Sequence, residues 1–98
     1  MDEKLVARRY NVSGRVQGVG FRNYVEHVAG QIGVQGYVRN RRDGRVEVFA
    51  MGSPERLKKL RVALERGPMM SRVDGVAEEP DTVETKYVGN FVIEYTVE

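Results

Sequence analysis

Apolar residues recur along this chain in two rhythms, and the switches between them mark out its elements. Lys4 to Ser13 reads with period two: Val6, Tyr10 and Val12 share one side, with Arg8 interrupting the stripe, so a strand is expected. From Phe21 to Ile32 the spacing becomes helical, with Phe21, Val25, Val28, Ala29 and Ile32 on one face. Gly33 supplies a C-terminal stop. Alternation returns over Val34 to Arg41 and over Arg45 to Met51, and Asp43-Gly44 between them predicts a turn of type I′ geometry. In the later strand Val46, Val48 and Ala50 take one side and Glu47, Phe49 and Met51 the other. That mixed second face suggests partial cover or packing at a sheet edge.

Ser53-Pro54-Glu55 opens a second helix: serine caps, proline suits the first helical position, and the acid meets the dipole. Leu57, Leu60, Ala63 and Leu64 form its apolar stripe, and Gly67-Pro68 ends it. A strand is expected near Ser71 to Glu78. A loop then runs from Asp81 to Asn90, in which Thr82, Val83, Tyr87 and Val88 could pair locally. A final strand is expected over Phe91 to Val97. The order is β-α-β-β-α-β with one more C-terminal strand. Two helices layered on one face of a mostly antiparallel sheet make an economical core for it, an α+β ferredoxin-like two-layer sandwich. Many functions share that arrangement, so fold alone decides nothing about chemistry.

Ninety-eight residues suffice for one domain, expected to span 1–98, and no repeat, linker or low-complexity segment divides it. The absence of cysteine excludes disulfides and thiolate metal sites and fits a reducing compartment. The N-terminus, Met1-Asp2-Glu3-Lys4-Leu5-Val6-Ala7-Arg8-Arg9, lacks the apolar core of a signal peptide, and no apolar run approaches the ~20 residues of a membrane span. A soluble cytoplasmic protein is the expectation, with a monomer as the default because nothing marks a large apolar interface. Sixteen basic against fourteen acidic residues leave a net charge of +2, too mild to be a nucleic-acid signature. Arg39, Arg41, Arg42 and Arg45 do cluster, however. They read as solvated ends of a hairpin, or else as a positive rim attracting an anionic substrate.

The chemistry concentrates in Gly14-Arg15-Val16-Gln17-Gly18-Val19-Gly20-Phe21-Arg22, between the first strand and the first helix. Glycine-rich turns aim several N–H groups at one point, and the following helix adds the positive end of its dipole. Arg22 adds a planar, charged fork matched to phosphate oxygens. A positive charge in the first turn opposes the dipole and has no structural benefit, which favours anion binding over a surface role. A phosphoryl group is the simplest ligand for such a cradle.

Val12-Ser13-Gly14-Arg15-Val16-Gln17-Gly18-Val19-Gly20-Phe21-Arg22 resembles the signature loop of the acylphosphatase family. Gly36-Tyr37-Val38-Arg39-Asn40, followed by Asp43-Gly44 and Val46-Glu47-Val48, resembles a second family element. So do Gly67-Pro68 with Ser71-Arg72-Val73, and the closing Asn90-Phe91-Val92-Ile93. The resemblance implies a cofactor-free, metal-independent hydrolase that splits acyl phosphates into a carboxylate and inorganic phosphate. By the same resemblance Arg22 and Asn40 are the catalytic pair, and the backbone from Arg15 through Val16, Gln17, Gly18 and Val19 to Gly20 holds the phosphate. Tyr37 stands where many members carry tryptophan, and Met69-Met70 replaces a commoner proline-and-alanine stretch, a change expected to affect packing more than chemistry. Val83 to Gly89 aligns less readily.

The residues suit that reaction. An acyl phosphate has a good leaving group, so the difficulty is holding a polyanion beside an in-line water, which is mostly positioning and charge stabilisation. Asn40 is no base near neutrality, but its amide can orient a water. Strand-helix-strand topology brings the loop and Asn40 to one end of the sheet. For Gln17 the backbone is the expected contribution, its side chain pointing to ligand or solvent; Arg15 either binds phosphate or shields the loop. His27 falls between the apolar positions of its helix and faces solvent, with no neighbours spaced as metal ligands. The carboxylates form no persuasive acid–base pair. Two other readings fit less well: a noncatalytic phosphate- or nucleotide-binding module, and an RNA-binding domain of the same topology, which lacks its aromatic-rich consensus here.

Overall fold

The computed structural model describes residues 4–96. Its elements run β1 (Val6–Arg15), α1 (Phe21–Ile32), β2 (Gln35–Asn40), β3 (Val46–Gly52), α2 (Pro54–Arg66), β4 (Arg72–Asp81) and β5 (Phe91–Ile93), with a single 3-10 turn at Thr85–Tyr87. The sheet order is β4-β1-β3-β2-β5. β1 is antiparallel to β3 and β4, β2 is antiparallel to β3, and only β5 runs parallel to its neighbour β2. This is the expected two-layer α+β sandwich.

Period two sorts the strand residues between its faces. Tyr10, Val12, Val38, Val46, Val48 and Ala50 point into one cluster with Val25 and Ala29 of α1 and Leu57, Leu60 and Leu64 of α2. Each fully buried valine or leucine among them contributes about 1.5–3 kcal/mol. Helix ends follow their local signals. Ser53 Oγ accepts the Arg56 N–H at 3.2 Å with Pro54 in the first turn, and the Gly33 N–H closes α1 on Ala29 O at 2.8 Å.

On the opposite face, the expected cover of β3 is present and the alternative, an edge position, is not. β3 lies at the centre of the sheet, not its edge, and both its faces are buried. Phe49 and Met51 pack with Ala7 and with Tyr87, which the 3-10 turn lays over the open face. Tyr37 stacks on Phe49 at 5.5 Å between ring centres and meets Tyr87 at 5.2 Å. The segment expected to be a loop with local pairing at Thr82, Val83, Tyr87 and Val88 therefore carries, in Tyr87, the plug of a second, smaller core.

Boundaries shift where the partner strand decides. β1 continues past Ser13 to Arg15 because β4 runs alongside it, with a bulge between Ser13 and Gly14. At Gly14 (φ 124°) a Cβ would fall 2.1 Å from Arg72 O, so only glycine lets the strands meet there. β4 continues to Asp81, beyond the expected Glu78. β5 stops at Ile93, opposite Val38, although β2 runs on to Asn40; the last bond across the pair is from the Glu94 N–H to Val38 O at 2.9 Å. Val97, the expected end of that strand, lies outside the described residues. The hairpin turn also differs from type I′. Gly44 N–H bonds Arg41 O at 3.2 Å and Gly44 alone is left-handed (φ 94°), since Asp43 keeps a negative φ. Asp43 instead accepts the Arg45 N–H at 3.0 Å, a side-chain bond that fastens the turn in this form. Met69 and Met70 are 87% and 71% exposed and fill no core. Among the described residues no helix is long and apolar enough to cross a membrane.

Candidate active site

β1 and β2 both run antiparallel to β3, so they are parallel to each other and finish at the same end of the sheet. β1 leads there into the glycine loop, and β2 ends there in Asn40. Between them lies a cavity of about 200 Å³. Val16, Gly18 and Gly20 line it from the loop, Phe21, Arg22 and Asn23 from the first turn of α1, and Asn40 and Ile93 from the facing strands. On β2, period two directs Tyr37 and Arg39 to the open face, whereas Asn40 follows Val38 to the face that carries the helices.

The loop is shaped for close backbone approach. Gly18 (φ 76°) and Gly20 (φ 77°) are both left-handed, and a Cβ on either would meet nothing within 4 Å, so space stands open above the main chain. Gly20 is the N-cap of α1 and offers no side-chain hydrogen bond, and no acid occupies that helix's first turn. α2 has both a capping serine and Glu55. An uncapped N-terminus facing a cavity keeps its N–H groups and partial positive charge for an outside anion. Arg22 stands beside it, exposed. Among the described residues it makes no hydrogen bond or ion pair, while Arg9, Arg39, Arg41, Arg45, Arg61 and Arg72 each hold a carboxylate.

Of the residues singled out in the sequence, the cavity thus brings together Val16, Gly18, Gly20, Arg22 and Asn40. Arg15, Gln17 and Val19 do not line it. Arg15 belongs to the end of β1, paired with Arg72, and is exposed. Val19 is half-buried against the main core. The Gln17 side chain points neither to the cavity nor to solvent: its Nε2 donates to Arg41 O at 2.8 Å and Arg45 O at 2.9 Å. Asn23 and Ile93 line the cavity without having been anticipated. Asn23 could have been read from its place beside Arg22 in the first turn; Ile93 depends on β5 lying next to β2, which no local pattern reveals. Among the described residues the lining includes no carboxylate, histidine, lysine or tyrosine. Among the described residues no three His, Asp or Glu side chains are grouped as metal ligands.

Three arginines of the cluster, Arg39, Arg41 and Arg45, are tied up in ion pairs. Arg41 and Arg45 hold Asp43 at 3.1 and 2.8 Å, and Arg45 keeps that carboxyl far below the usual range. Arg39 and Arg41 reach Glu47 at 3.1 and 3.2 Å, on the open face of the sheet. Glu47 is 1% exposed and also accepts the Tyr37 hydroxyl. Burial opposes its charge, but the bonds from Tyr37 and the two arginines outweigh it and hold the carboxyl below its ordinary value. A depressed folded-state pKa stabilises the fold above about pH 4.3, the unfolded value, and that contribution is lost as pH falls toward the folded one. Glu47→Gln is therefore expected to cost roughly 2–3 kcal/mol at pH 7 and clearly less at pH 3. Urea unfolding at the two pH values measures this; a cost that stays constant would mean the carboxylate's charge contributes nothing.

Comparison with known proteins gives one answer. The sequence model of the family described as Acylphosphatase matches residues 8–93. An acylphosphatase of Koribacter versatilis is 54% identical over 96 residues, covering 98% of this chain and 86% of that protein. One from Solibacter usitatus is 51% identical over 81 residues, 83% of each. The crystal structure of acylphosphatase from Bacillus subtilis superposes with a TM-score of 0.86 at 36% identity, covering 92% of this chain and 99% of that one. A glycine loop and an uncapped helix shaped for an anion, and a family match running through both strands that frame them, lead to one conclusion: this chain belongs to the acylphosphatase family and is an enzyme that hydrolyses acyl phosphates.

Proposed function

We propose that the phosphoryl group of the substrate sits over Gly18 and Gly20, held by main-chain N–H groups of the loop and of the first turn of α1 and by the Arg22 guanidinium. The Asn40 amide, from across the cavity, orients the attacking water. The water oxygen bonds to phosphorus as the bond from phosphorus to the acyl oxygen breaks. The carboxylate leaves with that electron pair, and the water's proton passes to a phosphate oxygen, since among the described residues no side chain lining the cavity is a base. Donors set in advance around developing charge are each worth about 10²–10³ in rate. Holding water in line adds several kcal/mol, with about 7–11 as an upper range.

The observation that carries this reading is that Arg22, Asn40 and an uncapped helix start line one cavity of about 200 Å³. Fixed positive charge from the dipole and from Arg22 supplies what a metal supplies elsewhere, so catalysis is read as metal-independent. The cysteine-free sequence suits a reducing compartment, and we place the protein in the cytoplasm as a single-domain monomer acting on small acyl phosphates. Three open-face aromatics, Tyr37, Phe49 and Tyr87, pack on one another and leave only Tyr95 exposed beside them among the described residues, which supports the reading without a nucleic-acid partner.

Benzoyl phosphate tests the proposal. Hydrolysis is expected to persist at full rate in excess EDTA and to be inhibited competitively by inorganic phosphate. Activity abolished by EDTA and restored by a divalent ion would overturn metal independence; noncompetitive inhibition would move the phosphate site elsewhere.

A further inference from the structure

We infer that Gln17 is a positioning residue that locks the phosphate loop to the strand end carrying Asn40. The inference rests on the roles proposed above for that loop and for Asn40. Val16 and Gly18, on either side of Gln17, line the cavity, while the Gln17 side chain leaves the loop in another direction. Both hydrogen bonds of its Nε2 go to carbonyls of the β2–β3 hairpin: Arg41, the residue after Asn40, at 2.8 Å and Arg45 at 2.9 Å. These carbonyls already close the turn, since Arg45 O accepts the Arg41 N–H at 2.8 Å and Arg41 O accepts the Gly44 N–H at 3.2 Å. Gln17 therefore grips the hairpin at its hydrogen-bonded base, one residue beyond Asn40.

The chemistry of the side chain fits the task. A primary amide offers two N–H donors from one neutral nitrogen, matched to two carbonyl oxygens, and adds no charge beside an anion site. The ion pairs at the turn, between Asp43 or Glu47 and the nearby arginines, run within β2, β3 and their connection, so they stiffen the hairpin without fixing it to the loop. Phosphate and water must be held by different elements at one distance, and a misplacement of about 1 Å costs roughly 10²-fold in rate. The Gln17 amide sets that distance. Because it points away from the cavity, its loss leaves the loop N–H groups in place to bind phosphate.

Gln17→Met keeps the length and volume of the side chain and removes both donors. It is expected to lower kcat for benzoyl phosphate about 10–100-fold while the inhibition constant of inorganic phosphate stays within about threefold. Introduced into Asn40→Ala, the same change is expected to cost less than about threefold more, because there is no longer a placed amide to lose. An unchanged kcat, a parallel weakening of phosphate binding, or an equal loss in both backgrounds overturns the inference. Should Gln17→Met not fold, amide-proton exchange in the unaltered protein decides. The Gln17 side-chain protons are expected to be protected relative to those of exposed Gln31, and equal exchange overturns the inference. Full turnover by Asn40→Ala would instead bring down the water-orienting role, and this inference with it. An inactive Asn40→Ala beside an unaffected Gln17→Met would bring down this inference alone.

Discussion

Arg22→Ala is expected to lower kcat/KM for benzoyl phosphate by about 10³-fold or more, to weaken competitive inhibition by phosphate, and to leave the fold as stable as before. The two halves of this result have one origin. Arg22 is exposed and, among the described residues, has no hydrogen-bond or ion-pair partner, so its removal breaks nothing inside the protein. Its positive charge lies in the first turn of α1, where it opposes the dipole, so neutralising it is neutral or stabilising by a few tenths of a kcal/mol. The same charge placed against a phosphoryl group supplies a charge-assisted, bidentate contact in a site where donors each count for about 10²–10³ in rate. Arg22→Lys keeps the charge and loses the planar fork, and is expected to recover only part of the loss. Activity assays beside thermal unfolding separate the two effects. An Arg22→Ala protein that loses stability and activity together would show the residue to be structural.

Asn40→Ala is expected to reduce kcat by about 10²–10³-fold while phosphate still binds within a few-fold of the unaltered protein. Asn40 faces the loop across the cavity from the end of another strand, so truncating it leaves the loop backbone and Arg22 as they are. A loss confined to kcat, with the phosphate inhibition constant preserved, distinguishes a residue that steers water from one that holds phosphate. Equal losses in both would make Asn40 a direct phosphate ligand. Stability is expected to change little, because β2 pairs with β3 through the Asn40 backbone, which alanine retains.

Much of this was legible before any coordinates. α1 matched its expected bounds because each end carries its own signal, glycine at Gly20 and Gly33 flanking an apolar stripe. α2 did likewise through Ser53, Pro54 and Gly67. Strand ends were less legible. Arg15 and Asp81 lie in strands because each finds a partner, and the chain stops being a strand after Ile93 because its pairing with β2 ends there, although β2 itself runs on to Asn40. The turn at Asp43-Gly44 went the same way: the dipeptide fits a tight turn, but the bonds that the Asp43 carboxylate accepts from Arg41 and Arg45 settled which one formed. Tyr87 gave no periodic signal at all, and its burial rests on Phe49 and Tyr37 arriving from other strands.

Local pattern determined the elements, the order that makes the sandwich, and the residues equipped for an anion, because helix periodicity, capping and glycine turns act within a few neighbours along the chain. Tertiary structure decided what happens between distant segments: that Ile93 walls the cavity, that Arg39, Arg41 and Arg45 are spent on Asp43 and Glu47, and that the Gln17 side chain grips a hairpin 24 residues away. Those outcomes depend on which strand lies beside which and how far each pairing runs. They are properties of the assembled sheet and were not present in any single stretch of sequence.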